Sequence, residues 1–421
     1  MDDLCFQPIT ALAEAIAAGE LSPVALTDAY LARIEALEPR LNAYITVTAD
    51  AARTAAKDAE NALREHGPRG PLHGIPLAYK DIVDVAGVPT TCGSQVLETN
   101  IPERDGQVVA RLRDAGAIIL GKLNMNEFAT ILPSEHFGPT VNPWHAEHTP
   151  GGSSSGSGVA VAAGLCAGAL GTDTGGSIRL PSTYCAVTGL KATHGRVSNR
   201  GVLPLAWSLD HIGPMTRTAA DAALILDAIA GYDREDLVSR NVPTEPTRRA
   251  DGTNIANLRG RRLAWIPDFL AEFADPQVAR ALDAAMSVFR DLGAEIEAIE
   301  LPLLDGAWTT LEPILCGEAS TWHADYIDSV PERYGSKVFK FFSRAREVGT
   351  TAYVRGRGKK AAFKRAVLEA TASFDALVVP GAMTPPPPPT PPPPSPTPAA
   401  ASARSPFAQE TSAHFAALRW T

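Results

Sequence analysis

A chain of 421 residues can fill one large α/β domain or two ordinary ones, and 45% hydrophobic with 20% charged residues is the balance of a globular protein. With 38 Lys and Arg against 47 Asp and Glu, the formal charge is −9, which excludes a general nucleic-acid surface and leaves nucleic acid outside the expected partners. No uninterrupted apolar run reaches the roughly 20 residues that span a bilayer, and Met1-Asp2-Asp3-Leu4 lacks the basic start of a secretory signal, so no membrane association and a cytoplasmic location are expected.

In chain order, apolar residues at helical spacing predict helices over 9–18, 23–37 and 51–65. Ser22-Pro23 supplies an N-cap serine and a proline at the first helical position, Asp50 is the expected N-cap of the third helix, and Gly67-Pro68 is its stop. Residues 76–81 read as a core strand carrying Lys80 near its end. Such a lysine either pairs with Asp81 or snorkels to solvent, or it is a buried amine whose lowered pKa makes it a base near neutral pH. A helix over 108–115 closed by Gly116 and a buried strand over 117–120 ending at Gly121-Lys122 come next.

Two glycine-serine clusters then follow, Thr149-Pro150-Gly151-Gly152-Ser153-Ser154-Ser155-Gly156-Ser157-Gly158 and Gly171-Thr172-Asp173-Thr174-Gly175-Gly176-Ser177-Ile178-Arg179, joined by a run of small apolar residues that predicts an element buried on all sides. Taken alone, either cluster would pass for a flexible linker or a turn, and no Lys-Ser or Lys-Thr pair follows as a phosphate loop requires. Residues 236–257 read as a surface excursion. Strands over 262–266, 293–299 and 374–380, a helix over 276–292 and helical stretches between 307 and 372 complete the alternation, which predicts an α/β fold in one large domain over 1–383 with a parallel or mixed sheet covered by helices. Prolines at 385–389, 391–394, 396 and 398 predict a polyproline-II tail within 384–421, and 399–421 shows no convincing element.

Scattered Cys5, Cys92, Cys166, Cys185 and Cys316 read as reduced, buried small hydrophobes. His73, His136, His145, His148, His194 and His211 show no ligand spacing, so neither a metal nor a cofactor is expected. Trp144, Trp207 and Trp265 read as core, and the basic group Arg355, Arg357, Lys359, Lys360, Lys364 and Arg365 as a solvated helix face.

The two clusters at this spacing, with Gly74-Ile75-Pro76 leading to Lys80-Asp81 upstream, resemble the amidase signature family of serine hydrolases, densely over residues 8–235. The resemblance implies a mixed sheet with helices on both faces and a Ser-Ser-Lys relay: Ser177 as nucleophile, Ser153 as bridging serine and Lys80 as terminal base. It implies an oxyanion hole from the amides of Thr174, Gly175, Gly176 and Ser177, a cis peptide at Gly152-Ser153, a charge-assisted pair of Asp173 with Arg179, an orienting role for Ser154, and an acyl pocket around Met125 and Phe128. The expected activity is that of a stand-alone amidase on small or aryl carboxamides, with esters and carbamates open to the same acyl chemistry and a homodimer compatible with it. One alternative is the A subunit of a glutamyl-tRNA amidotransferase, which delivers ammonia to a partner. Asn126 in place of that subunit's usual aspartate, and Lys360 at the place read for its substrate-clamping arginine, weigh against it. Relatives continue with a strand and helices where this tail begins, so the tail reads as a truncated or frame-shifted C-terminus, or else as a proline-rich ligand of a catalytically impaired scaffold.

Overall fold

Ser22 starts the organisation of the first sheet's helical cover. In the computed structural model, which describes residues 4–243, 246–247, 257–301 and 306–388, its hydroxyl accepts from the amides of Val24 and Ala25 at 3.1 and 3.3 Å and so caps helix α2 (Pro23–Leu41), which follows α1 (Ile9–Ala17). Helix α2 runs on through Pro39 and closes at Asn42 in the left-handed region (φ 48°), longer than the stretch over 23–37 expected from its apolar spacing. Helix α3 (Ala49–His66) is capped differently from expectation: Thr48 occupies the N-cap position and Asp50 lies in the first turn. The Thr48 hydroxyl donates across to the Ile119 carbonyl at 3.0 Å, so it ties the helix start to a strand instead of satisfying the helix's own amides.

Two compact units partition the chain, Met1–Arg249 with Trp322–Ser343, and Ala250–Thr321 with Arg344–Thr421. In the first unit six strands form one mixed sheet: β1 (Tyr44–Val47), β2 (Pro76–Lys80), β3 (Ile118–Leu123), β4 (Gly168–Thr172), β5 (Thr188–Gly189) and β6 (Ile212–Thr216), in the order β1-β3-β2-β4-β6-β5. The central strands β3, β2 and β4 are parallel and buried along their whole length, as continuous apolar runs covered on both faces must be. Flanking β1 and β6 run antiparallel to their neighbours. Helices α4 (Gln107–Asp114), α6 (Arg179–Tyr184) and α7 (Ala219–Ile229) belong to this unit. So does α5 (Ser155–Ala162), buried on every side except at Ala162 itself. Its small residues explain the burial, since a Cβ on Gly156 would stand 2.4 Å from the Ala43 carbonyl and 2.5 Å from that of Asn124.

The second unit carries a parallel three-stranded sheet, β8-β7-β9, from β7 (Arg262–Trp265), β8 (Glu295–Ala298) and β9 (Ala376–Leu377). Helices α8 (Pro267–Phe273) and α9 (Pro276–Asp291) follow β7, and Ala264, Ile266, Leu270, Leu282, Met286, Leu377, Val379 and Met383 make its core. Helix α10 (Ala307–Ser329) begins in this unit, α11 (Ser336–Ala345) lies mostly in the first, and α12 (Thr350–Thr371) in the second. The α/β class with a mixed sheet and helices is as expected. Trp144 and Trp207 depart from expectation: they are 68% and 50% exposed rather than core. Leu237 and Val242 are exposed, in keeping with a surface excursion. The proline tract beyond Pro388 and residues 399–421 lie outside the described residues. Among those described, no helix is long and apolar enough to cross a membrane.

Candidate active site

Lys80 ends β2 in the middle of the first unit's sheet and is fully buried. Alternation along the strand sends its side chain to the face opposite Asp81, and the two have separate partners. Asp81 pairs with buried Lys122 at 3.0 Å and accepts from the Thr91 amide at 3.0 Å and from the Thr91 hydroxyl, which disposes of a Lys80–Asp81 pair. The Lys80 ammonium donates to Ser153 Oγ and to Thr172 Oγ1, each at 2.7 Å. Burial brings its pKa down from 10.5 to about 7, against the opposing pull of Asp173 and Asp210. Near neutral pH a large fraction of Lys80 is therefore the free amine, able to accept a proton from Ser153.

Three elements meet at this amine: the ends of adjacent parallel strands β2 and β4 and the loop before α5. The peptide Gly152-Ser153 is cis. Asn126 backs it, its amide donating to the Ser153 carbonyl at 3.1 Å, and its side chain occupies the space a Cβ on Gly152 would need, 2.4 Å away. Buried Ser154 donates its hydroxyl to the Thr172 carbonyl and accepts from the Thr172 amide, both at 3.2 Å. Ser154 thus holds the backbone of the residue that holds Lys80.

Ser177, half-buried, lies on the loop between β4 and α6, and its carbonyl accepts from the Ser154 amide at 3.3 Å. The structure therefore joins Lys80 and Ser153 directly and ties the two serine loops through backbone; among the described residues the Ser177 hydroxyl makes no hydrogen bond to Ser153. Asp173 is the anchor of the Ser177 loop. Buried, it accepts from Arg179 Nε at 2.9 Å and a terminal guanidinium nitrogen at 3.0 Å, from Lys191 Nζ at 2.7 Å, and from the amides of Gly176 at 2.8 Å, Ile178 at 3.2 Å and Arg179 at 3.4 Å. Burial alone would raise this carboxyl, but the Arg179 and Lys191 charges override it and hold it well below the usual carboxylate range.

That anchoring corrects one expectation. The Gly176 N–H is turned onto Asp173 at a φ of 133°, which a residue with a Cβ would adopt only under strain. Of the four amides implied for the oxyanion hole, those of Thr174, Gly175 and Ser177 make no hydrogen bond within the protein among the described residues, and Gly176 is committed elsewhere. Two residues that the sequence did not single out complete the loop: Lys191, already placed on Asp173, and buried Asp210, which accepts from the Thr174 hydroxyl and from the amides of Leu205 and Ala206. The signal for them was slight, a lysine two residues after the short β5 and an aspartate two residues before β6, with partners many residues away.

Met125 and Phe128 are both buried. Phe128, at a left-handed φ of 49°, packs its ring against Trp322, His323, Tyr334 and Phe342 with centroids 4.5–6.1 Å apart. Lys360 sits on α12 in the second unit beside Arg357, Glu318 and Lys364, and it is Arg357, one turn after Tyr353, that donates to the Tyr353 hydroxyl at 3.2 Å.

A family model describing amidases matches residues 25–408. The chain belongs to the amidase family. Among amidase relatives, the A subunit of the glutamyl-tRNA(Gln) amidotransferase of Geobacter sulfurreducens is 46% identical over 354 residues, 82% of this chain and 72% of that protein. Among solved structures, the native peptide amidase of Stenotrophomonas maltophilia superposes with a TM-score of 0.80 at 35% identity, covering 90% of this chain and 84% of that one. A chain from a vestigial protein complex tied to the origins of an s-triazine catabolic enzyme superposes with a TM-score of 0.84 at 30% identity, covering 91% and 83%. This chain is an enzyme of amide C–N bond chemistry.

Proposed function

We propose that this chain cleaves the C–N bond of a carboxamide through an acyl-enzyme on Ser177, and that the carboxamide is glutamine's. The observation that carries the chemistry is a buried lysine amine bonded at 2.7 Å to Ser153 Oγ, a base with no carboxylate in hydrogen-bond contact among the described residues. In the forward step Ser177 Oγ bonds to the carbonyl carbon, its proton passes to Ser153, and the Ser153 proton passes to the neutral Lys80 amine. The oxyanion that forms is met by the unengaged amides of Thr174, Gly175 and Ser177. The C–N bond then breaks as Ser153 protonates the leaving nitrogen and Lys80 returns a proton to Ser153. Water attacks the ester by the same relay, releasing the carboxylic acid and restoring the Ser177 hydroxyl.

The choice of substrate rests on the amidotransferase relative, whose identity of 46% over 82% of this chain supports glutamine hydrolysis with ammonia passed to a partner. The stand-alone reading, an amidase of small or aryl carboxamides, is favoured by Asn126 and Lys360, which depart from the pattern of such A subunits. Ammonia release from glutamine, set against release from a peptide amide and from an aryl carboxamide, separates them. Glutamine is expected to be the preferred substrate, and turnover of the aryl or peptide amide with none of glutamine would overturn that choice. Loss of all turnover in Ser177→Ala is expected in either case.

A further inference from the structure

Arg179 alone satisfies Asp173 in geometry, with two nitrogens on the carboxylate, yet a second cation, Lys191, is brought to the same carboxylate at 2.7 Å. Lys191 follows β5, whose pairing with β6 continues through the Leu190 amide on the Pro214 carbonyl at 3.0 Å, and its side chain is 16% exposed. Holding an ammonium in such a place is unfavourable: burial brings Lys191 down to about 8, with Asp173 first among the groups that resist. Arg179, Asp210 and His211 also face it, and burial together with the Lys191 charge keeps His211 neutral. The charged groups around Lys80 are Asp173 and Asp210, with the Cys92 thiol beside them. Asp210 is met by a hydroxyl and backbone amides. Asp173, next in the chain to the Thr172 that accepts from Lys80, thus carries two cations, Arg179 and Lys191, and with Asp210 it supplies the negative charge that faces an amine which must be free of charge to work.

We propose that Lys191 is a positioning residue of this site whose ammonium counterbalances, at Lys80, the negative charge of the Asp173 and Asp210 carboxylates, and so keeps the relay competent at neutral pH. The inference rests on the reading of Lys80 as the base for Ser177. Without the Lys191 charge the two carboxylates outnumber Arg179, Lys80 holds its proton more tightly, and the acid limb of activity moves to higher pH. A purely structural anchor would lower the rate without moving that limb.

The test is the rate of Ser177 labelling by a fluorophosphonate as a function of pH, read by peptide mass spectrometry, for the parent protein, Lys191→Gln and Lys191→Arg. Glutamine keeps a donor for Asp173 without the charge; arginine keeps the charge. The acid limb is expected to rise by about 1 pH unit in Lys191→Gln, the lower end of what one nearby charge does, and to stay near the parent value in Lys191→Arg. Lys191→Met carries the same expectation as glutamine should that variant not fold. An unmoved limb in the glutamine or methionine variant overturns the proposal while leaving the relay standing. Failure of the parent protein to label at Ser177 overturns the relay itself, and the proposal with it.

Discussion

Replacing Lys80 by methionine should slow labelling of Ser177 severely and at the same time stabilise the protein, by an amount that shrinks as pH rises. At about 1.36 kcal/mol per pH unit, a lysine brought from 10.5 to about 7 on folding costs the folded state roughly 5 kcal/mol at pH 6, roughly 4 at pH 7 and roughly 2 at pH 9. The sign follows from the direction: a base with a depressed folded pKa destabilises fully below that pKa, and the penalty fades toward 10.5. Methionine fills the stem's volume but forfeits the bonds to Ser153 and Thr172, about 1 kcal/mol each. The net gain is then about 3 kcal/mol at pH 6, about 2 at pH 7 and close to nil at pH 9. Urea denaturation of both proteins across this range reads the difference. A stability difference that does not change between pH 6 and 9 would refute the reasoning, because it would mean that Lys80 binds its proton equally in the folded and unfolded chain.

Ser153→Ala should slow Ser177 labelling by about 10²–10⁴-fold, the usual worth of a proton-transfer group, with an unchanged circular dichroism spectrum; labelling at the parent rate would remove Ser153 from the relay. Asp173→Asn strands Arg179 and Lys191 without their carboxylate and should cost about 3–5 kcal/mol, measured by urea denaturation at pH 7. Because Asp173 is held well below 3.8, its contribution is present at neutral pH and is lost only as pH falls through that lowered value, so the gap between parent and variant should persist at pH 4. Gly156→Ala should yield little soluble protein, since its Cβ has no space against the Ala43 and Asn124 carbonyls; normal expression and melting would show that α5 can shift outward.

The features legible in the sequence are those carried by consecutive residues. Ser22-Pro23, the apolar run ending in Lys80 and the two glycine-serine clusters each hold their meaning locally: Ser22 caps α2 and Ser153 Oγ accepts from Lys80, whereas the Ser177 hydroxyl makes no bond to Ser153 among the described residues. The rest depends on partners distant in the chain. Thr48 yields its capping role because the Ile119 carbonyl lies beside it, and Lys191 and Asp210 gain theirs from Asp173 and Thr174, 18 and 36 residues away. Gly176 illustrates the same limit from within the motif: its identity announces a close approach of backbone, but the direction of its N–H, toward a carboxylate three residues back, is a matter of φ. Trp144 and Trp207 escape a core assignment because size and apolarity do not reveal that one ring lies on the surface with its Nε1 donating to the Cys185 carbonyl at 2.8 Å and that the other turns outward from between buried Ala206 and Ser208.

Ser177 as the nucleophile served by Lys80 is the claim on which the proposed chemistry depends. Treating the protein with a fluorophosphonate and locating the adduct by peptide mass spectrometry, in the parent chain and in Ser177→Ala and Lys80→Ala, tests this most directly. One adduct on Ser177, absent from the first variant and formed far more slowly in the second, is the predicted result. An adduct on any other serine, or labelling of Ser177 at the parent rate in Lys80→Ala, would contradict it.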